Sequence, residues 1–428
     1  MSLLLKNAVF IDWETLDFIS GNIMVTGDEP SLKFFYDPQK SALPPGTETI
    51  DCSGKLVTKS FAVGHHHAYS ALSRGMPAPE QSPQNFHEIL KYIWWRLDKC
   101  LDAETIESSA LVTAMACLKA GSTFVVDHHV SPMAVKGSLE IIAKAFEKVG
   151  VSHLLCYEVS DRDGEKIARQ GIDETEVYLR NHQGLVGLHA SFTVSDKTLR
   201  QAVALTKIHN SGIHIHVAED GYDQERCIRE HGKRVVGRLR DAGVMNNQKS
   251  ILVHCLHLDD NERELIRSSP VWVAQNSESN LNNNVGHFKS TGLGDNIILG
   301  TDGMHSDMLR SAKAAFLDGQ QSDGITPESA YRRFRNVHRY LRENNFAGDG
   351  DNNLVILDYD TPTPVNRENF LSHFIYGLTE EHVTDVISNG KLVVRDRKIL
   401  TVDEDEILKE SRRQAEKLWE RMMLVSPV

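Results

Sequence analysis

Ser60-Phe-Ala-Val-Gly-His-His-His67 is the stretch on which the fold turns. Residues 60–65 make a short apolar run of strand length that stops abruptly in histidines. The same figure recurs down the chain at 122–127, 152–158, 185–189, 212–217, 250–254, 271–276 and 296–301. Each is a short run rich in Val, Ile, Leu or Phe, and most gaps between them carry amphipathic helical patterns, as at 134–149, 196–210 and 222–242. Repeated strand–helix units imply a parallel sheet, because parallel neighbours need a long crossover. Eight units in succession predict an α/β fold, a TIM-like (β/α)₈ barrel. A doubly wound open sheet is the alternative, weakened by the absence of a Gly-rich phosphate loop after the first strand.

Working outward, both ends of the chain have a different rhythm. Runs at 4–11, 21–25, 32–36 and 55–57 are separated by turn signals such as Thr26-Gly27-Asp28 and Pro44-Pro45-Gly46. They read as β-hairpins. Similar runs return at 353–359 and 383–394, with Asn389-Gly390 as a hairpin turn. The expectation is a small β-sandwich subdomain built from both chain ends, residues 1–58 and 350–428, flanking a barrel of residues 59–349. Residues 403–422 are charged and helix-favouring and should pack on the barrel surface.

The formal net charge of −12 argues against nucleic acid or an anionic membrane as a partner. No apolar segment approaches the roughly 20 residues that span a bilayer. The amino terminus lacks the long apolar run of a secretory signal. Six scattered cysteines without C-x-x-C spacing read as reduced thiols, which fits a cytoplasmic protein.

Chemistry concentrates at the strand ends. They carry His65-His66-His67, Asp127-His128-His129, His189, His214-Ile-His-Val-Ala-Glu219, His254-Cys-Leu-His257 and Thr301-Asp302-Gly303. In such a barrel the carboxyl ends of all strands converge on one face. A spacing of two puts His65 and His67 on one side of an extended segment, while His66 points away and is structural. His216 and Asp302 complete three neutral nitrogens and one carboxylate. That set suits one divalent metal ion, Zn²⁺ first, with Fe²⁺ or Mn²⁺ as alternatives. Such an ion lowers the pKa of a bound water to around 7. His214 is a competing ligand, but His216 lies nearer the strand end. Glu219, three residues on, is the candidate proton shuttle. His254 is the candidate for orienting the water or stabilising the adduct, with His257 as its competitor. His189 stands where a binuclear site would want a lysine, so one metal is expected and His189 becomes a substrate contact. Tyr69, Arg74, Trp94 or Trp95, and Arg162 are the other candidate substrate contacts.

Together these residues resemble the mononuclear aminohydrolase branch of the amidohydrolase superfamily, which includes guanine deaminase and the triazine hydrolases. The nearest resemblance is to the group of aminohydrolases called SsnA. It is carried by Tyr92-Ile-Trp-Trp-Arg-Leu-Asp98, Asp127-His-His-Val-Ser-Pro132, Cys156-Tyr-Glu-Val-Ser-Asp-Arg-Asp-Gly164, His189-Ala-Ser-Phe-Thr-Val-Ser-Asp196, His214-Ile-His-Val-Ala-Glu-Asp220 and Gly300-Thr-Asp-Gly-Met304. The resemblance implies His65, His67, His216 and Asp302 as ligands, and Glu219 and His254, with Asp302, as catalytic groups. It implies a metal-dependent hydrolase of non-peptide C–N bonds that deaminates an amino-substituted heteroaromatic ring. Its partner is a small molecule, and homodimers are common among its barrels. The alternatives are loss of chloride or alkylamine from a triazine, opening of a cyclic amide, or a non-catalytic assembly protein, which would generally have lost ligands. Departures are Lys59-Ser60 for the usual Pro-Gly, Gly350-Asp-Asn-Asn-Leu354 for Gly-x-x-Ala-Asp, and Phe86-His-Glu-Ile-Leu90 where nucleoside deaminases often carry Glu-Glu-Trp. The last argues against a nucleoside.

Overall fold

The computed structural model describes residues 2–27, 30–35 and 43–425. Asp28 and Tyr36, which close two of the expected amino-terminal features, lie outside them. Eight parallel strands run in order through the middle of the chain: Phe61–His66, Ser122–His129, Ser152–Tyr157, Val186–Ala190, Ile213–Val217, Ile251–His254, Trp272–Gln275 and Ile297–Leu299. The first three pair in one sheet and the last five in another. Bridges Leu155↔Gly184, Val159↔Leu188 and His66↔Asp302 join the two sheets at both seams, which closes the barrel.

The strands are buried on both faces, as parallel strands under crossover helices should be. One alternate set (Val63, Val125, Leu155, Leu188, Ile215, Leu252) packs outward with helix residues such as Ala114, Leu139 and Leu199. The other set (Ala62, Phe124, Val126, Leu154, Val253, Ala274, Ile298) packs inward and meets Val337, Tyr340 and Leu341 of helix Pro327–Glu343. Strand one breaks this alternation. Its register against strand two shifts between Val63 and His66. Such an irregularity re-aims side chains, a common device beside active sites. It lets His65 face inward although Val63, two residues earlier, packs outward. Strands one and eight approach closely here. A Cβ on Gly64 would lie 2.6 Å from the Leu299 carbonyl oxygen, and one on Gly300 2.3 Å from Asn276 Oδ1 and 2.8 Å from the His65 carbonyl oxygen. Only glycine fits either position.

The helical stretch expected at 222–242 is two helices, Gly221–His231 and Val235–Ala242. Gly232, at φ 65°, ends the first in the left-handed conformation that glycine adopts without penalty. The carboxyl-terminal helix Glu404–Leu424 lies on helix Ala103–Lys119 and is pinned by Trp419 Nε1 donating to the Leu72 carbonyl at 2.9 Å.

Strands from both chain ends form one nine-stranded sheet. Ser2–Ile11 pairs in parallel with Glu48–Asp51 through its first half and with Leu56–Lys59 through its second, so the sheet forks along this strand. Leu56–Lys59 pairs on its other side with Leu354–Leu357. Leu3, Leu5, Phe10, Val25, Val57, Ile356 and Ile387 fill the space between its faces. The strand Glu48–Asp51 was not expected; it is four residues long, with Ile50 its single apolar member, too little to show an alternation. All six cysteines are buried and free. No described helix is long and apolar enough to cross a membrane.

Candidate metal centre and substrate cavity

Strands one, five and eight bring four distant side chains to one point. His67 Nε2 lies 3.2 Å from His216 Nε2 and 3.1 Å from Asp302 Oδ1. His65 Nε2 lies 3.6 Å from the same oxygen. Metal–nitrogen bonds of about 2.0–2.1 Å set neighbouring ligand atoms of a tetrahedral site about 3.3–3.4 Å apart. The observed separations bracket that edge.

The hydrogen bonds behind the rings fix which nitrogen faces the centre. His67 Nδ1 donates to the His128 carbonyl at 2.7 Å, and His216 Nδ1 to the His189 carbonyl at 2.8 Å. Each therefore turns an Nε2 lone pair inward. His65 Nε2 is buried with no hydrogen-bond partner. Its Nδ1 lies 2.9 Å from His214 Nε2, and His214 Nδ1 lies 3.6 Å from Cys156 Sγ, which donates to the Asp127 carbonyl at 3.5 Å. One proton assignment satisfies the whole line: His65 Nδ1–H donates to His214, His214 Nδ1–H to sulfur, and S–H to the carbonyl. His214 is thus placed behind His65, not among the inward-facing four. Burial pulls the His67 ring down, but the Asp302 carboxylate outweighs it and lifts it to about 9. Burial raises Asp302, yet His65 and His67 hold it well below the usual carboxylate range. The pocket favours positive charge between these groups. Ligand spacing, the partnerless His65 Nε2 and this electrostatic bias all fit a divalent cation.

Beside this centre, His254 Nδ1 donates to Asn280 Oδ1 at 2.8 Å, leaving Nε2 facing Glu219 Oε2 at 3.4 Å and Asp302 Oδ2 at 3.7 Å. Glu219 Oε1 accepts from Asn283 Nδ2 at 3.4 Å. Burial and the charge of Asp302 push the Glu219 carboxyl well above its ordinary range. Ala218, His254 and Asp302 have φ of 48°, 69° and 52°. Non-glycine residues rarely adopt such values, and they cluster at functional sites. They bend the chain as it leaves strands five, six and eight.

A cavity of about 640 Å³ opens over the centre. His189, Tyr69, Trp94, Trp95 and Arg162 line it, as do His67, His216, Glu219, His254 and Asp302. A second lobe of about 340 Å³ shares Phe86, Leu90, His189, His216 and Glu219 with it. Arg74 is a correction. It is exposed and lines neither lobe, because the chain after strand one enters the 3-10 turn Ala68–Ser73 and carries it outward. His66 turns away to Thr301 Oγ1 at 2.9 Å, as expected. His257 donates to the Val285 carbonyl at 2.7 Å and also lines neither lobe. Asp98, Glu158, Asn283, Phe86 and Leu90 line the cavity without having been singled out. Glu158 had a signal, since it ends the third expected strand.

Residues 62–333 match the amidohydrolase family model. The chain is 29% identical to 5'-deoxyadenosine deaminase of Methanopyrus kandleri over 76% of its own length and 78% of that protein. It is 26% identical to 5-methylthioadenosine/S-adenosylhomocysteine deaminase of Thermoanaerobacter pseudethanolicus, over 98% of this chain and all of that one (100%). Its fold superposes with a TM-score of 0.82 on a zinc-bound adenosine deaminase from Xanthomonas campestris, at 18% identity over 99% of both chains. Against an atrazine chlorohydrolase from Arthrobacter aurescens complexed with zinc, the TM-score is 0.79 at 16% identity, over 96% and 100% of the two chains.

Proposed function

We infer, from the premise that the chain belongs to the amidohydrolase family, that its cavity carries out hydrolytic deamination of an amino-substituted heteroaromatic ring. The enzyme is a metal-dependent hydrolase of carbon–nitrogen bonds other than peptide bonds. In this reading His65, His67, His216 and Asp302 hold the ion, and zinc is the ion. When bound, a divalent cation supplies hydroxide at neutral pH by lowering the pKa of a water to around 7.

The remaining work falls to side chains of the protein. Glu219 takes a proton from the attacking water and hands it to the departing nitrogen. An amine is a poor leaving group until it is protonated, so a carboxyl placed beside the centre suits the task. His254 faces both Glu219 and Asp302 and stabilises charge on the tetrahedral adduct. Tyr69, Trp94 and Trp95 supply flat aromatic surface for a planar ring, and His189 supplies a polar contact at its edge. The observation that carries the reading is the largely buried Glu219 carboxyl, 3.4 Å from His254 and beside four side chains spaced for one cation. Relatives named for adenine-containing substrates support the same chemistry. At the position where the sequence departs from nucleoside deaminases, Phe86 and Leu90 turn apolar side chains to the cavity. The ring itself is therefore the part of the substrate to vary in a search.

The test is direct. Protein purified without chelator should carry about one equivalent of zinc. A screen of amino-purines, pterins, pyrimidines and triazines should find a member that releases ammonia in step with product. Metal-loaded, folded protein that releases ammonia from none of these classes would refute deamination. A size measurement in solution would test the homodimer that we propose as the working form.

A further inference from the structure

Three stretches distant in sequence meet on one wall of the main cavity. Asp98 comes from the segment Tyr92–Asp98, Glu158 and Arg162 follow strand three, and His189 ends strand four. Arg162 is the only lysine or arginine among the described residues that line either lobe. Its charge is already taken. Nη1 donates to Glu158 Oε1 at 3.1 Å, Nη2 donates to Asp98 Oδ2, and Nε lies 3.3 Å from Asp163 Oδ2. Its guanidinium carbon also sits 5.4 Å from the centre of the Trp95 ring.

The carboxyl on the far side is less well served. Asp98 is 1% exposed, lines the cavity, and its Oδ1 has no hydrogen-bond partner. Burial pushes this carboxyl up to about 8 against the pull of Arg162. A donor N–H at Oδ1 would restore the ionised form. Around the two lobes stand Asp98, Glu158, Glu219 and Asp302, with Asp220 and Asp223 in the second. Away from the metal centre, an incoming anion therefore finds acceptors and no free cation.

Resting on the deaminase reading above, we propose that this wall selects a neutral or cationic ring amine with N–H donors turned toward Asp98, and rejects analogues that carry a carboxylate. Arg162 acts as a positioning residue that holds the two acidic groups, and Asp98 and Glu158 are the recognition groups. A solely structural role, pinning the Tyr92–Asp98 segment to strand three, makes different predictions.

The experiment uses full-length, zinc-loaded protein and matched pairs of probes: 5-methylthioadenosine with S-adenosylhomocysteine, pterin with pterin-6-carboxylate, and cytosine with 5-carboxycytosine. Binding is measured by calorimetry, separately from ammonia release. In every pair that binds, the member without the carboxylate should bind at least tenfold tighter. Glu158→Gln, which loosens the hold on one guanidinium N–H, should narrow that ratio to below threefold. Asp98→Asn should raise KM for the preferred member about tenfold, more than it lowers kcat, with zinc content unchanged. Equal binding within the pairs, or no binding by any member, overturns the proposal. So does an Asp98→Asn variant whose thermal midpoint falls while its affinity for both members of a pair drops equally. The two readings fail separately: the predicted binding order without ammonia sinks deamination alone, and ammonia release with equal affinities sinks selection alone.

Discussion

His214→Leu removes the acceptor behind His65, a proposed metal ligand, while roughly keeping its volume. In the wild type, His65 Nδ1–H is matched by His214 Nε2 at 2.9 Å, and both residues are fully buried. Leucine leaves that donor without a partner in a site that water does not reach. A net hydrogen bond is worth about 0.5–1.5 kcal/mol, and a stranded buried donor costs about 1–3 kcal/mol. The second range applies to a fully buried donor, and its upper part sets about 1.5–3 kcal/mol against the tautomer that turns Nε2 inward. At about 1.4 kcal/mol per factor of ten, zinc affinity should fall about 10- to 100-fold. The assay is competition with a chromophoric zinc chelator, alongside thermal unfolding of the chelator-treated protein. Cys156→Ala provides the scale, because it leaves the His65–His214 contact intact and removes only the weak sulfur contacts behind it, 3.6 Å to His214 Nδ1 and 3.5 Å to the Asp127 carbonyl. Its loss should stay within about threefold. A folded His214→Leu protein that binds zinc within twofold of wild type, or a larger loss in Cys156→Ala, would refute the reasoning.

Glu219→Gln keeps the shape of the shuttle and removes its proton exchange, so ammonia release should drop by about 10²–10⁴ with zinc content unchanged; turnover that survives would instead favour a leaving group that needs no proton, such as chloride. Zinc at about 100 times its dissociation constant should stabilise the fold by about 2.7 kcal/mol, visible as a thermal midpoint several degrees above that of chelator-treated protein, and His65→Ala should abolish the difference. Gly300→Ala forces a methyl to within 2.3 Å of Asn276 Oδ1 and 2.8 Å of the His65 carbonyl oxygen; overpacking of about 1–3 kcal/mol should lower the thermal midpoint, and zinc affinity should fall with it because His65 is displaced. A Gly300→Ala protein with both values unchanged would mean that strands one and eight are less closely apposed than described.

The barrel was legible because strands buried on both faces read as unbroken apolar runs, and because glycine and polar residues mark where each one ends. All eight runs correspond to strands of the closed sheet, within a few residues at each end. His65 and His67 were legible from a spacing of two, since strand geometry alone places them on one side. What the spacing does not contain is the register shift that lets them face inward, because that depends on how strand one pairs with strand two. Arg74 fails for a similar reason. Distance along the chain from a strand end says nothing about a 3-10 turn that rotates the backbone away. Asp98 and Arg162 lie 64 positions apart and have no motif to connect them, so their pairing appears only in three dimensions. The break at Gly232 was visible as a glycine inside a helical pattern, but a lone glycine there is tolerated often enough that only tertiary structure decides.

The pairing of Leu56–Lys59 with Leu354–Leu357 has a consequence for biosynthesis. The earlier strand leaves the ribosome 298 positions before its neighbour, and at about 5–20 residues per second that is a wait of about 15–60 s. Throughout that interval the nascent chain carries an unpaired strand edge next to the freshly made His65-His66-His67 run. Such edges invite pairing with other chains. Slower translation or an occupied holding chaperone should therefore change the yield of soluble protein more than it changes the stability of what has already folded.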